Sequence, residues 1–364
     1  MKTSNRLRPG IMLLIGVLLV CAAQAGLLHL IHSREASSRP AHVRDAQERM
    51  LRARAALMAL RERLPLTEEQ RTQLTRNDPN GTGFIGLEWT PLTTTDGSLA
   101  SKRLSTDLQW IPQLDAMLVQ CEEMRRDSDV VWIGASGSFP ALTAATVLVC
   151  ESRGLRPLVI SSLTASSHGA NVPGADWLTM EKTLREAGVI ETRSVAASVG
   201  GEGDRGLGLD PIEVAALQRR VRESDVPLID PADVSDSVSA RLSRWREAGG
   251  VESPLAFVNV GGNVANLGPH REAASLRPGL NLPREGDADS SQGLSLMLLR
   301  QNVPVIHLLN LDRLASTPPP VLSPAPGQIP LRALRRTLAV LGLIFVGLLV
   351  HHRLDAPSLG ALGG

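Results

Sequence analysis

The chain has 364 residues, with 38 Lys and Arg against 37 Asp and Glu, and a formal net charge of +1. This balance excludes a protein that holds nucleic acid by bulk positive charge, and a hydrophobic content of 43% excludes a chain that is disordered throughout. Three cysteines with no C-x-x-C pair exclude a disulfide-stapled scaffold and give no zinc motif.

The first predicted element is a membrane anchor. A basic tail, residues 1–9, precedes residues 10–31, which contain no Asp, Glu, Lys or Arg and are long enough to cross a bilayer as a helix. We predict an uncleaved transmembrane signal anchor over residues 10–32. The A-x-A sequence at residues 23–25 keeps signal cleavage open as the alternative.

Residues 33–99 are predicted to be a helical linker followed by a loop rich in Gly, Pro and Thr. Apolar side chains recur at helical spacing over residues 43–64 and indicate an amphipathic helix, either packed on its own domain or serving as a stalk or oligomerisation helix. The loop, residues 77–95, is long, and long ordered loops often carry function. Asp78 and Asn80 in this loop are candidate ligand-binding residues. They can cap a helix, coordinate a cation through oxygen or form Asx turns, and the D-P-N-G order fits Asx turns best.

Strands and helices alternate over residues 100–315. Residues 130–133 form a buried-type strand, residues 141–150 an apolar helix and residues 158–160 the next strand, which together make a βαβ unit with parallel strands. The alternation continues to a last strand at residues 305–309. We therefore predict an α/β domain with a doubly wound, mostly parallel sheet and Gly-rich turns between strands and helices, flanked by N- and C-terminal membrane helices.

The second membrane segment is predicted near the C-terminus. A Pro-rich linker, residues 316–330, leads to a membrane helix over residues 331–352 and a tail over residues 353–364. A basic helix that lies in the membrane interface is the alternative to a spanning helix. The basic N-terminal tail favours a cell-membrane protein whose central domain lies outside the cytoplasm, whereas arginines on the domain side of both segments favour the opposite orientation.

Three predicted strands run into Gly-rich turns, which in an open α/β sheet meet at the carboxyl edge, where ligands bind. Backbone N–H groups and serine hydroxyls in such turns suit a phosphate or a carboxylate. Asp204 and Arg205 look like an exposed charged pair, in which Arg205 clamps a carboxylate ligand or the two side chains are merely solvated. The candidate ligand-binding residues of these turns are Ser136, Gly137, Ser138, Gly200, Gly201, Asp204, Arg205, Gly261, Gly262 and Asn263.

The sequence also contains three candidate catalytic residues. Ser136, His168 and Asp176 are chemically able to form a nucleophile, base and acid set, but Ser136 lies in G-x-S-G rather than G-x-S-x-G, and nothing in the spacing requires the set. The sequence contains no Walker A motif, and no complete G-x-G-x-x-G opens the first helix of the sheet domain, so we predict no nucleotide cofactor. No metal site is predicted either.

Five blocks of the sequence together resemble the poly-γ-glutamate system protein family. These blocks are NDPNGTGFIG (77–86), TPLTTTDGSLASKR (90–103), GASGSFPAL (134–142), SVAASVGG (194–201) and FVNVGG (257–262), and the resemblance covers most of residues 75–310. It implies a membrane-anchored component that is encoded with bacterial machinery for synthesis and export of this capsule-type polymer. No catalytic residue is carried over from the family.

We therefore expect a membrane-anchored accessory component of poly-γ-glutamate synthesis or export that binds an anionic ligand at its Gly-rich loops. The expected partners are the membrane, other proteins of that machinery, and an anionic polymer or small anion, without nucleic acid. Homo-oligomerisation stays open. The alternatives are a pathway enzyme, either a polymer hydrolase or a glutamyl transferase, and a membrane-tethered binding module for another anionic metabolite.

Overall fold

The computed structural model describes residues 39–268, 275–283 and 292–316. The two predicted membrane helices, the two predicted tails and nearly all of the Pro-rich linker lie outside these described residues. Within the described ranges, no helix combines the length and the apolar character that crossing a membrane requires.

The described elements alternate between helices and strands through most of the chain, as the sequence predicts. The helices are α1 (Ala41–Arg63), α2 (Glu68–Asn77), α3 (Leu99–Ser105), α4 (Trp110–Met124), α5 (Pro140–Ser152), α6 (Trp177–Glu186), α7 (Pro211–Glu223), α8 (Val234–Gly249), α9 (Val264–Leu267), α10 (Leu294–Arg300) and α11 (Leu311–Ser316). The strands are β1 (Thr93–Thr95), β2 (Val130–Ser136), β3 (Arg156–Ser162), β4 (Ala165–Ser166), β5 (Ala196–Ser198), β6 (Leu228–Ile229), β7 (Ala256–Val260), β8 (Gly279–Asn281) and β9 (Val305–Leu308).

Seven strands form the main sheet in the order β6-β5-β3-β2-β7-β9-β8. Six of them run parallel, and β8 is antiparallel to its neighbour β9 at the edge. This confirms a mixed α/β fold with a mostly parallel sheet. Because the chain proceeds from β2 toward β6 in one direction and from β7 toward β9 in the other, the strand order reverses between β2 and β7.

Strand β2 lies at the centre of this sheet and is buried along its whole length. Its alternate side chains enter two different apolar clusters: Val131 and Ile133 join one, whereas Val130 and Trp132 join the other. Helices α1, α4, α5 and α6 contribute to the first cluster and α8, α9 and α10 to the second. On the second side, Trp132 stacks on Trp245 of α8 with ring centroids 5.4 Å apart. Burial on both faces explains why the strand is a continuous apolar run rather than an alternating one.

Helix α1 packs against α4, α5 and α6 through an apolar face. Its buried residues are Val43, Ala46, Met50, Ala53 and Leu57. The helix belongs to the same compact unit as the sheet, so of the two interpretations drawn from its spacing the structure shows the one in which it packs on its own domain.

A second, two-stranded parallel sheet joins β1 to β4. Strand β1 lies at the end of the long loop that precedes α3. Asn171 anchors this loop, because its side chain accepts the backbone N–H of Leu87 at 3.0 Å and donates to the carbonyl of Leu87 at 2.8 Å. These bonds hold residues 87–95 in place, and Thr93, Thr94 and Thr95 then form part of the wall described below.

Candidate functional site

A cavity of about 570 Å³ lies where strands β2, β3, β5 and β7 end. This is the carboxyl edge of the sheet at the reversal of strand order, the position at which open α/β sheets bind ligands, and the volume lies in the usual range for small-molecule sites. The lining residues are Trp89, Thr93, Thr94, Thr95, Ser136, Ser138, Ser162, Thr164, Gly201, Glu202, Leu207, Gly208, Leu209, Gly262, Asn263 and Val264.

The turn between β2 and α5 supplies two hydroxyl groups to the cavity wall. Ser136, the last residue of β2, donates its hydroxyl to the carbonyl of Val260 at 3.3 Å and accepts the N–H of Ser138 at 3.3 Å. Helix α5 then begins without a side-chain cap at its N-terminus. Gly137 itself is behind the wall, since an added Cβ there meets the carbonyl of Thr164 at 2.9 Å.

The turn after β7 passes directly over Ser136. Gly261 has a φ of +85°, and a Cβ at this position meets the hydroxyl oxygen of Ser136 at 2.2 Å. Glycine is therefore required there both by the left-handed backbone and by the close approach. Gly262, by contrast, lines the cavity, and a Cβ added to it points into open space.

Asp204, in the loop after β5, was predicted to be exposed, and that prediction is wrong. Its side chain is fully buried and forms an ion pair with the equally buried Arg241 of α8, with 2.7 Å between Oδ2 and Nη2. Burial alone raises the pKa of Asp204, but the charge of Arg241 and the hydrogen bonds from Ser237, Arg241 and Ser198 outweigh it and hold that pKa below its usual range. The carboxylate is thus a structural centre under the cavity and not a ligand contact.

This ion pair positions two residues of the cavity wall. Asn263 donates its side-chain amide to Asp204 Oδ1 at 2.7 Å and to the hydroxyl of Ser162 at 2.8 Å. The amide oxygen of Asn263 accepts the N–H of Ala265 at 2.9 Å and so begins α9. The ends of β3 and β7 are therefore tied to one buried carboxylate, which fixes the floor of the cavity.

Arg205 does not form the predicted clamp. It is exposed, it is not part of the cavity lining, and its guanidinium donates to the carbonyl of Ala232 at 2.7 Å. Of the two predicted glycines in this loop, Gly201 lines the cavity, and Gly200 allows the turn through its φ of +85°. Glu202, which was not predicted, also lines the cavity.

The structure does not bring the three catalytic candidates together. His168 bonds through Nδ1 to the side chain of Asn77 at 3.2 Å, and burial lowers its pKa below the ordinary value. Asp176 caps α6 by accepting the N–H of Thr179 and pairs with Arg220 at 3.1 Å. Among the described residues no hydrogen bond links either side chain to Ser136, and the nucleophile, base and acid set stays a prediction.

Asp78 and Asn80 lie away from the cavity, in a turn. Asp78 is buried, and its carboxylate accepts the N–H of Thr82 at 3.0 Å, the N–H of Gly83 at 2.8 Å and a guanidinium N–H of Arg61 at 3.1 Å. Asn80 is exposed. The pair thus forms the turn that the D-P-N-G order favours, and the described ranges contain no cluster of His, Cys, Asp and Glu able to hold a metal.

Sequence reasoning missed Lys102, which lies behind the wall formed by Ser138. Only 3% of Lys102 is exposed, and its ammonium donates to the carbonyl of Ser138 and to the hydroxyl of Ser166. The ring of Phe139 lies 4.0 Å from Nζ. Burial lowers the pKa of Lys102 to about 7. The one sequence signal was the presence of a rare lysine in the block 90–103.

Trp89 was also missed, although it lines the cavity. Its side chain is 62% exposed, whereas the other four tryptophans are each at most 2% exposed. An exposed aromatic residue in the lining of a cavity offers apolar contact to a ligand.

No protein-family model, curated protein or solved structure matches the chain. The fold and the cavity are therefore established by the geometry of the described residues and not by similarity to another protein.

Proposed function

We propose that the doubly wound α/β domain of this chain is a binding module for an anionic, carboxylate-bearing ligand. The observation that carries the proposal is the cavity at the reversal of strand order, with hydroxyl groups of Ser136, Ser138 and Ser162 in its wall. We further propose that the module serves a membrane-anchored accessory component of poly-γ-glutamate synthesis or export. The resemblance of five sequence blocks supports this second step.

The chemistry of the wall suits a γ-glutamyl ligand. The hydroxyl of Ser138 accepts the N–H of Ser166 at 3.0 Å, which leaves its own O–H proton for a carboxylate oxygen. Glu202 is the charged residue among the described lining residues, and it lies exposed at the rim. The chain end of a γ-linked glutamate polymer carries an α-ammonium beside its α-carboxylate, so Glu202 at the rim and hydroxyls within match both charges.

Binding is better supported than hydrolysis or glutamyl transfer. The hydroxyl of Ser136 donates to a backbone carbonyl, and in the described part of the chain no histidine or lysine contacts it as a base. A serine nucleophile needs such a base within hydrogen-bond reach. Ligand binding is therefore the activity that we propose for the cavity. The accessory role at the membrane, with the domain outside the cytoplasm, belongs to the same proposal and is supported by the sequence resemblance and the basic N-terminal tail.

The test in cells is deletion of the gene, followed by measurement of cell-associated and released γ-linked glutamate polymer. Complementation uses the wild-type gene, Gly262→Phe and Gln301→Phe. Gly262 lines the cavity and has open space where a Cβ would stand, so a side chain can begin there without a clash, and we expect its ring to narrow the cavity. Gln301 is exposed and uncharged, and it follows α10 at the opposite, amino edge of the sheet, which makes it the matched control.

We expect deletion to reduce the polymer, and we expect wild type and Gln301→Phe to restore it while Gly262→Phe fails. Unchanged polymer after deletion contradicts the pathway. Full rescue by Gly262→Phe, with equal protein levels, contradicts the role of the cavity. Complementation by Ser136→Ala tests the enzyme alternative. If Ser136 is a nucleophile, this variant should restore no polymer, whereas if its hydroxyl only contributes to binding, the variant should restore part of it.

A further inference from the structure

Lys102 is a buried cation whose contacts are all neutral. Its ammonium reaches the carbonyl of Ser138, the hydroxyl of Ser166 at 2.7 Å and the face of the Phe139 ring. Across residues 39–268, 275–283 and 292–316, no carboxylate lies within ion-pair distance of Nζ. The Asp204 and Arg241 charges cancel each other below the cavity. Glu202 lies exposed in the cavity lining, so Lys102 is a buried positive charge near the cavity with no ion-pair partner among the described residues.

The surroundings of Nζ suit an ammonium group rather than a free amine. An ammonium has three N–H donors and no acceptor, and here it meets a carbonyl oxygen, a hydroxyl oxygen and an aromatic face. Burial without a counter-ion nevertheless disfavours the charged form. The site is therefore built to hold a positive charge that lacks its negative partner.

The position of Lys102 connects this charge to the cavity. Ser138 accepts from Lys102 through its carbonyl and lines the cavity. An anion bound against Ser138 and the ammonium of Lys102 would thus contact the same residue, in surroundings where charges interact more strongly than in water. Such an anion relieves the cost of burying the ammonium, and the ammonium in turn attracts the anion.

We propose that Lys102 is the counter-charge for the ligand of this cavity, and that a carboxylate bound beside Ser138 is accompanied by uptake of a proton at Lys102. The proposal rests on the proposed function, because it names the residue that selects an anion in that same cavity. The step is an acid–base equilibrium: the neutral amine takes one proton from solvent, and no covalent bond of the ligand changes.

The sign of the pH dependence follows from the pKa of Lys102. In the free protein this pKa is about 7, and a nearby anion raises it. Affinity for the anion is therefore highest below pH 7 and falls by up to about tenfold for each pH unit above 7, until the raised pKa of the complex is reached. Between pH 7 and pH 9 the maximal loss is about 50-fold, because Lys102 is already half deprotonated at pH 7.

Other charged groups lie on the elements around Lys102. They are Glu88 and Asp96 in the segment before α3, Arg103 on α3, His168 after β4, and Asp312 and Arg313 on α11. Because burial lowers the pKa of His168 below its ordinary value of 6.5, this histidine stays neutral from pH 7 to pH 9. Substitution of Lys102 alone separates its contribution from that of the remaining groups.

The experiment is isothermal titration calorimetry of the full-length chain in detergent micelles with γ-linked tetraglutamate as the probe, from pH 6.5 to pH 9. Two buffers of different ionisation enthalpy give the number of protons taken up. For the wild type we expect the affinity to fall by up to about tenfold for each pH unit above 7, and an uptake of about one proton at pH 8. Lys102→Met should bind weakly at every pH and take up no proton, and Lys102→Arg should bind without the pH dependence.

Lys182→Met is the matched control, because Lys182 on α6 has 72% of its side chain exposed and pairs with the exposed Glu186. It should reproduce the wild type. Wild-type affinity and pH slope in folded Lys102→Met overturn the inference but leave the proposed function standing. If Lys102→Met does not fold, an uptake of zero protons by the wild type at pH 8 overturns the inference instead. Failure of the wild type to bind tetraglutamate at pH 6.5 overturns the proposed function itself.

Discussion

Replacement of Asp204 by asparagine isolates the buried ion pair under the cavity. Asparagine has nearly the same shape and tolerates the φ of +60° at this position, so the backbone change is small. The substitution leaves the fully buried guanidinium of Arg241 without its counter-ion. Removal of one partner of a buried pair costs about 3–5 kcal/mol, a large share of the roughly 5–15 kcal/mol that folding of a domain provides.

Urea unfolding of the wild type and Asp204→Asn, followed by circular dichroism, measures this cost. Glu247→Gln is the matched control, because Glu247 pairs with Arg244 on the same helix but in solvent, where such a pair is worth at most about 1 kcal/mol. Combining Asp204→Asn with Arg241→Met should cost less than the sum of the single changes by about 2 kcal/mol or more. A loss below about 1 kcal/mol for Asp204→Asn, or additive costs in the double variant, refutes the reasoning.

Three further predictions follow from single residues. The free energy of unfolding of the wild type relative to Lys102→Met should rise by about 1.4 kcal/mol per pH unit between pH 7.5 and pH 9.5. The reason is that burial lowers the pKa of Lys102 from 10.5 to about 7, so in this pH range only the unfolded chain keeps the proton. If the difference in unfolding free energy between the two proteins does not change with pH in urea unfolding, this prediction is wrong. Gly261→Ala should destabilise by at least about 1–2 kcal/mol through its left-handed φ alone, and an unchanged urea midpoint speaks against the close approach to Ser136. Trp89→Phe should abolish most quenching of intrinsic fluorescence by iodide, since the other tryptophans are buried, and persistent quenching excludes an open Trp89.

The main elements were predictable because their signals are local. The apolar run at residues 130–133 became β2 (Val130–Ser136), and the run at 158–160 became the inner part of β3 (Arg156–Ser162). Both strands are buried on two faces, which leaves a continuous apolar signature. Strands β1, β4 and β8 were not predicted, because two or three residues carry no periodicity and their pairing depends on partners distant in sequence.

The meeting of the Gly-rich turns at one edge of the sheet was also predictable, whereas the burial and pairing of the charges around them were not. The Gly-rich turns after β2, β5 and β7 do meet at one cavity. Asp204, however, lies between glycines and gives the local pattern of an exposed turn; its burial depends on Arg241, 37 positions along the chain. The environment of Lys102 depends likewise on Ser138 and Ser166. Long-range partners decide which charges are buried, and one sequence does not reveal them.

The most direct test of the proposed ligand is titration of the full-length chain in detergent with γ-linked tetraglutamate at pH 6.5 and low salt, repeated for Gly262→Phe and Gln301→Phe. We predict saturable binding by the wild type and by Gln301→Phe. We predict loss of binding by folded Gly262→Phe, because the substitution adds a ring at a position that lines the cavity. The absence of wild-type binding, or equal binding by Gly262→Phe, contradicts the claim that this cavity takes an anionic γ-glutamyl ligand.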